Sequence, residues 1–346
     1  MKVGLVGFAG SGKSIVFEWL TGVAPDPAKV QNGQLGSTKV PDERLMRMAV
    51  KYDPDKLTLA EIQFLDTPGL MSGGEDDRKD NARRLGILRE SDGLCVVLNG
   101  YSETDFAKQL VRFRDELLFA DLEIVSNRIP KVNAQLRKTK PAKEREADEF
   151  ELATLQRIVA AFEAGQAAHQ MGIKPEEEKC LRSFQLLTLK PEIVLVNRGD
   201  TGFADPLPAD LLAMAPTAVQ APVKLEKELK DLDEETRTMF MADLGLTEFS
   251  RDRVIRAIFS SLGRIVFFTA GKKEVRSWAM DKGGDAVAAA ACIHNDLAAR
   301  FVRARVVSYA DYEACGYSDK EAKSRGLERL EGKTYIVQDA DCMEIL

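Results

Sequence analysis

The chain is poor in the residues that build metal clusters and covalent staples. Of its 346 residues two are histidine and five are cysteine, and Cys95, Cys180, Cys292, Cys315 and Cys342 are scattered with no C-x-x-C pair. A zinc site or a disulfide framework is therefore not expected, and the reduced thiols of the cytoplasm fit better. No apolar run reaches the ~18 residues of a membrane span, so no membrane is expected as a partner. The N-terminus enters a strand pattern directly, without the basic segment or cleavage pattern of a signal peptide. Positive charge is not in excess either. A formal net charge of −6 argues against a uniformly basic nucleic-acid binder and makes DNA an unexpected partner, while leaving room for a local basic patch. What remains is an ordinary globular mixture, 45% hydrophobic and 30% charged. At roughly 100–200 residues per domain, the length allows two or three domains.

The chain opens with MKVGLVGFAGSGKS. Residues 3–6 form a short apolar run that predicts a buried strand. Gly7-Phe8-Ala9-Gly10-Ser11-Gly12-Lys13-Ser14 then fits G-x-x-x-x-G-K-[ST], and Ile15 begins a helical pattern. Strand, glycine-rich turn and helix are the context this motif needs. Gly7, Gly10 and Gly12 open backbone conformations closed to residues with a Cβ. The amides of Ala9, Gly10, Ser11, Gly12, Lys13, Ser14 and Ile15 can then converge on phosphate at the positive end of the helix. Lys13 would reach the β- and γ-phosphates and the Ser14 hydroxyl would ligate Mg²⁺. The pattern implies a nucleoside triphosphate.

Residues 23–42 read as a loop from their Gly, Pro and polar content. Ser37 and Thr38 are the hydroxyls there that could close on a γ-phosphate, although a static surface loop fits equally well. Residues 62–65 predict a second apolar strand running into Asp66-Thr67-Pro68-Gly69. In a D-x-x-G so placed, Asp66 would hold Mg²⁺ through a water and the Gly69 amide would sense the γ-phosphate. Residues 71–80 are glycine-rich and acidic, as suits a mobile second switch. Leu70 stands where small GTPases carry a water-orienting Gln, so intrinsic hydrolysis is expected to be slow or assisted from elsewhere.

A third strand is predicted over 93–98. Beyond it Leu118, Leu122, Val125, Ile129, Val132 and Leu136 recur at alternating spacings of four and three, and Leu152, Leu155, Val159 and Phe162 continue that seam. Two long helices folded back as an antiparallel coiled coil explain the pattern, with Pro130 expected to kink the first or open a gap. The tip carries Arg137, Lys138, Lys140, Lys143 and Arg145, either a solvated turn or a contact for RNA phosphate. A strand over 191–196 then ends in Asn197-Arg198-Gly199-Asp200. N-x-x-D after a buried strand reads guanine in GTPases, because the carboxylate accepts from N1–H and N2–H₂, which adenine cannot offer together. The same four residues also make an ordinary turn. Residues 222–226 fall at the usual site of a base-capping loop. From Arg264 the pattern becomes strand-rich, followed by a helix over 287–303 and a last strand over 335–337. His294 is expected to be a satisfied core or interface residue.

FFTAGKKEVRSWAM, IHNDLAARFVRARVVSY and YIVQDADCMEIL resemble the TGS-type C-terminal domain of the YchF family of Obg-like P-loop ATPases/GTPases. SFQLLTLKPEIVLVN, DLDEETRTMFMADLGL, RVIRA, PDERL and ILRESDGL are similar to the same family, so the resemblance spans essentially the whole chain. It implies a P-loop NTPase (G-domain) α/β sheet, an antiparallel coiled-coil insertion and a C-terminal α+β β-grasp (TGS-like) domain. The expected boundaries are 1–105 with 185–263 for the nucleotide domain, 106–184 for the insertion and 264–346 for the TGS-like domain. It also implies a slow nucleotidase able to engage ribosomes or ribosomal RNA, with a hydrophobic residue in the place of the catalytic Gln. The chain departs from the family pattern at telling places. Gly10 and Ser11 replace Asn and Val of the phosphate loop, and DTPG replaces D-I-A-G. The family's first-switch Thr aligns with about Val30, and the His that serves hydrolysis in some members aligns near Val96. Members use ATP through N-x-x-E, whereas Asp200 tilts this chain toward GTP.

The leading expectation is thus a cytoplasmic, Mg²⁺-dependent GTP-binding nucleotidase. Lys13 and the loop amides would hold phosphate, Ser14 and Asp66 the metal, Gly69 the γ-phosphate, and Asn197, Arg198 and Asp200 the base. Three alternatives stand beside it: an ATP-preferring enzyme of the same fold, a non-hydrolysing ribosome or RNA adaptor with structural nucleotide, and a small-molecule kinase.

Overall fold

The computed structural model describes every residue except 72–74 and 247, and for 75–79 the backbone alone. Part of the expected second switch, residues 72–79, therefore lies outside the fully described residues. Among the described residues the strands in chain order are β1 (Lys2–Val6), β2 (Gln34–Lys39), β3 (Lys56–Thr58), β4 (Glu61–Asp66), β5 (Gly93–Gly100) and β6 (Glu192–Arg198). They continue with β7 (Val219–Ala221), β8 (Arg264–Ala270), β9 (Glu274–Asp281), β10 (Ala304–Val307), β11 (Arg329–Glu331) and β12 (Cys342–Ile345). The chain divides into two compact units, Met1–Gly36 with Gln63–Glu248, and Ser37–Ile62 with Phe249–Leu346.

The first sheet has the order β2-β4-β1-β5-β6-β7. From β4 to β7 the pairs are parallel, with Leu5 opposite both Asp66 and Cys95. β1, β5 and β6 are almost continuously buried, as parallel strands covered on both faces must be. Val6, Leu65, Leu85, Leu88, Val96, Leu98 and Phe113 share one core beneath this sheet. Successive βα turns of such a sheet gather at the carboxyl ends of its strands, which is where the motifs sit.

The helices Phe106–Leu136 and Ala142–Glu163 form the expected hairpin. Leu118, Val125, Val132, Leu155, Ile158 and Phe162 fill its seam, with Leu122, Ile129, Leu136, Leu152 and Val159 packed against them. Arg128 bridges the two helices by donating Nε and Nη2 to Glu151 over 2.7 and 3.0 Å. The chain stays helical through Pro130, which is exposed. At the tip Lys140 is paired with Asp148 and Arg145 with Glu149, so part of the basic cluster is used within the hairpin. The root of the first helix is fixed by the fully buried Asp121, which accepts from Arg89 Nη1 at 2.7 Å, the amides of Leu187 and Thr188, and the Thr188 hydroxyl. Four donors satisfy a carboxylate that would otherwise be costly to bury.

In the second unit the strand order is β11-β10-β12-β8-β9-β3. β8 and β9 form a hairpin, β12 runs parallel to β8, and β3 runs parallel to the outer side of β9. Ile265, Phe267, Met280, Ala289, Phe301, Val306 and Met343 make its core.

Four expectations are corrected. Residues 34–39 are strand β2, not loop; the buried positions of that strand are Gln34, Gly36 and Thr38, so its period of two carries no hydrophobic signal. The helix expected over 287–303 is two helices, Ala286–Ile293 and Asn295–Ala299. His294 breaks them apart as an exposed N-cap, Nδ1 accepting from the Asp296 amide at 3.1 Å, so it is not a core residue. Residues 335–337 form no strand: Val337 is buried in the core and Ile336 makes one isolated bridge to Asp285, while the last strand is β12.

Candidate phosphate and nucleotide site

The chain leaves β1 at Val6 and enters the helix Lys13–Thr21 through the glycine-rich turn. Gly12 caps that helix in the left-handed region, at φ 85°, and Gly10 has φ 79°. A Cβ on Gly12 would lie 2.2 Å from Asn197 Nδ2, so shape as well as backbone conformation demands glycine there. The turn is stitched to the D-x-x-G segment by reciprocal backbone bonds. The Ala9 amide donates to the Leu70 carbonyl at 2.8 Å, and the Leu70 amide donates to the Gly7 carbonyl at 3.0 Å. A Cβ on Gly69 would meet Ala9 Cα at 2.6 Å and Lys13 Nζ at 2.9 Å, which places that glycine against the lysine.

Lys13 is 6% exposed and donates Nζ to the Phe8 carbonyl at 2.9 Å. Burial pushes its ammonium down to about 8; the Asp66 carboxylate pulls it up and the Arg84 guanidinium pushes it further down. Asp66, at the end of β4, is fully buried, and neither of its oxygens completes a hydrogen bond. Burial raises its carboxyl above the ordinary value, against the opposing influence of the neighbouring Ser14 hydroxyl, Lys13 and the Thr67 amide. The Ser11 hydroxyl is buried and without a partner as well. Unsatisfied polar atoms at this depth are expensive, and here they converge on one turn. A divalent cation between Asp66 and Ser14 would relieve the carboxylate, with phosphate and water completing an oxygen shell.

Of the base-reading candidates, Asn197 is buried and donates Nδ2 to the Ser11 carbonyl at 3.1 Å. Arg198 turns its guanidinium over the Phe106 ring, 4.9 Å from the centroid, and donates Nε to Gln220 Oε1 at 2.9 Å; burial lowers its pKa. Asp200 is exposed just beyond β6. Ile15, in the first turn of the helix, lies within 3.4 Å of the space a Gly12 Cβ would take. Leu70 is 3% exposed inside the apolar core, so its side chain presents nothing to a water. In the second unit the Thr38 hydroxyl accepts from Arg251 Nη2 at 2.8 Å. Pro222 starts the helix Val223–Lys230, whose buried Glu226 accepts from Trp19 Nε1 at 3.2 Å.

Two residues were not singled out by motif. The Tyr101 hydroxyl donates to the Gly10 carbonyl. Arg84, in the helix Glu75–Gly86, donates Nη1 to the Gly69 carbonyl at 2.6 Å. Helical spacing could have pointed to Arg84, which lies three residues after buried Asn81 and beside buried Leu85, whereas Arg83 is exposed. A larger cleft of about 730 Å³ lies in the second unit. Its arginines are largely neutralised, Arg44 by Asp42 and Asp339, Arg47 by Glu313, and Arg264 by Asp281.

Residues 2–128 match a family model described as a 50S ribosome-binding GTPase, and residues 265–346 match the model of the YchF-GTPase C-terminal domain, described as a protein of unknown function (DUF933). The Ribosome-binding ATPase YchF of Bacillus subtilis is 31% identical over 99% of this chain and 97% of its own length. That of Haemophilus influenzae is 32% identical over 99% and 98%. This chain belongs to the YchF family. The fold agrees: the solved Schizosaccharomyces pombe YchF GTPase superposes with a TM-score of 0.80 at 24% identity, covering 100% of this chain and 97% of that one. A P-loop sheet with added α+β structure is thus the YchF architecture, and nucleotide binding comes with membership. In this member Asn197, which reaches the glycine-rich turn, lies within β6, and Asp200 follows two residues beyond that strand's end. Among the described residues no helix is long and apolar enough to cross a membrane.

Proposed function

We propose that this protein is a GTP-preferring, Mg²⁺-dependent nucleotidase of the cytoplasm that hydrolyses slowly and couples its nucleotide state to ribosome or ribosomal RNA association. The observation that carries the nucleotide reading is that the Asp66 carboxylate, beside Lys13, and the Ser11 hydroxyl of the same glycine-rich turn are both buried and unsatisfied. Lys13 and the amides of residues 9–15 would grip the phosphates, and the Gly69 amide would meet the γ-phosphate. Mg²⁺, held by Ser14 and Asp66, would draw charge from the β- and γ-phosphate oxygens. Asn197 would brace the phosphate loop while Asp200 reads the guanine edge and Arg198 lies along the base. In this reading residues 1–105 and 185–263 carry the nucleotide domain, apart from 37–62 and 249–263, which fall in the second compact unit, with 106–184 the insertion and 264–346 the TGS-like domain. Ribosome association is supported by the names of the Bacillus and Haemophilus relatives.

Those names also favour a second reading, in which ATP is the substrate. Parallel equilibrium titrations with GTP and ATP analogues in Mg²⁺ separate the two. GTP tighter by roughly a hundredfold supports guanine reading through Asp200. Equal or ATP-favoured binding assigns the family's adenine use to this chain.

A further inference from the structure

Leu70 leaves the position after Gly69 without a side-chain amide, because its chain is committed to the apolar core. Some other group must supply what that position supplies in small GTPases, and among the described residues Arg84 is a cation placed for it. Arg84 projects from the inner face of the helix Glu75–Gly86 and is half-buried. Its Nη1 donates to the carbonyl of Gly69 at 2.6 Å. The peptide it grips belongs to the glycine whose missing Cβ is the space beside Lys13 Nζ. The guanidinium is thus one peptide unit away from the ammonium that holds the phosphates.

Its position is braced rather than incidental. Asn81, one turn earlier on the same face, both donates to the Met71 carbonyl and accepts from the Met71 amide, at 2.9 Å each. The Asn81 Nδ2 also donates to Glu116 at 2.8 Å, tying the helix to the long helix behind it. Among the described residues Arg84 forms no ion pair with a carboxylate, and its guanidinium charge is partnered by the Gly69 carbonyl. The same charge is felt by Lys13, whose ammonium it disfavours. Two cations that repel each other beside one glycine-rich turn are an arrangement suited to a polyanion.

We propose that Arg84 is a catalytic arginine supplied in cis: its guanidinium, held at the Gly69 carbonyl, stabilises negative charge on the γ-phosphoryl group during transfer to water. The inference rests on the nucleotide reading above. In the reaction the bond between the γ-phosphorus and the β–γ bridging oxygen breaks as a bond to the water oxygen forms. The water proton ends on the released phosphate, the bridging electron pair stays with the diphosphate, and Arg84 remains protonated throughout. An arginine so placed stands in for the charge stabilisation that Leu70 cannot give.

The test uses the full chain as wild type, Arg84→Ala, Arg84→Lys and Lys13→Ala. Single-turnover hydrolysis is followed with saturating Mg–GTP and Mg–ATP, beside diphosphate affinity and thermal melting. Arg84→Ala is expected to slow hydrolysis by about 10²–10³-fold, the loss typical of removing one transition-state donor. Diphosphate affinity should be unchanged. The variant should also fail to trap a diphosphate–aluminium fluoride complex, and added guanidinium at concentrations that leave the fold intact should restore part of the rate. Arg84→Lys, which keeps charge and length, should lie between wild type and alanine and guards against a folding defect. Wild-type hydrolysis in Arg84→Ala would overturn the proposal. So would a slower variant that still traps aluminium fluoride and ignores guanidinium, since that is the signature of a structural role. Wild-type protein that binds no nucleotide, or binds it no better than Lys13→Ala, would instead overturn the nucleotide reading and this inference with it.

Discussion

Asn197 Nδ2 donates to the Ser11 carbonyl over 3.1 Å, joining the end of β6 directly to the phosphate loop. The side chain of the N-x-x-D motif therefore acts as a brace for the glycine-rich turn. Asp200, two residues beyond the strand end, is exposed and carries none of that load. Asn197→Ala should weaken binding of every nucleotide, guanine or adenine, and destabilise the protein by about 1–2 kcal/mol through the orphaned Ser11 carbonyl. Asp200→Ala should leave stability within ~0.5 kcal/mol and alter base preference alone. Thermal melts beside paired GTP and ATP titrations check both. A guanine-selective loss in Asn197→Ala would contradict the brace.

Lys13→Ala should weaken triphosphate binding by roughly a hundredfold, the scale of a lost charge-assisted hydrogen bond. The nucleotide-free protein should not lose stability, because the ammonium it removes is disfavoured by burial. A titration with unchanged affinity would remove Lys13 from the site.

Protonation offers an independent reading of the same residue. Lys13 sits at about 8 in the free protein, against an ordinary value of 10.5. Between those values the unfolded chain holds a proton that the folded chain has released, so this group's contribution to stability rises with pH across that window. Phosphate beside the ammonium favours the charged form and raises its pKa again. Triphosphate binding should accordingly take up a proton at about pH 9 and leave Lys13 unchanged in protonation near pH 6.5. Calorimetry in buffers of different ionisation enthalpy measures this, and Lys13→Met should abolish the uptake.

Asp66→Asn replaces a buried, unsatisfied carboxylate with a neutral group of the same shape. The nucleotide-free protein should be at least as stable as wild type near neutral pH, where the charge is costly to bury. The dependence of nucleotide affinity on Mg²⁺ should fall away. Retention of the full Mg²⁺ effect would argue that the cation is held elsewhere.

Gly69→Ala should abolish tight triphosphate binding, because its Cβ would press on Ala9 Cα at 2.6 Å, a backbone atom with little room to move. Some loss of stability is expected as well, since Ala9 and Leu70 are bonded across the same gap. Affinity within a few-fold of wild type would mean the two segments separate freely.

How much of this was legible depended on whether a residue's identity was forced locally. Gly12, Lys13 and Asp66 stood out because a G-x-x-x-x-G-K-[ST] turn and a D-x-x-G at a strand end each accept few residue types. The heptads from Leu118 to Phe162 were readable because a coiled coil repeats its demand, although Ile158 escaped the pattern. β2 was hidden because Gly36 is buried against the Phe17 ring, 2.8 Å from where a Cβ would be, a constraint set by a partner remote in sequence. Residues 335–337 looked like a strand because they are apolar, but burial of Val337 explains that without a ladder. Arg84 was invisible to motif reading, since its role depends on which face of one helix meets Gly69.

The place of β3 gives the C-terminal sheet an unexpected ancestry along the chain. Its residues 56–58 lie between the two phosphate motifs, yet they pair with β9 from Lys56 opposite Glu274 to Thr58 opposite Arg276, and the Ala60 amide is anchored by Ser277 Oγ at 2.7 Å. The stretch matched by the C-terminal family model, 265–346, does not contain them. A polypeptide cut to that stretch would begin life with β9 as a raw margin, its amides and carbonyls open to any passing strand, and self-association is its natural fate. The boundary of the matched C-terminal model and the boundary of the folded sheet therefore differ by a short loan from far upstream.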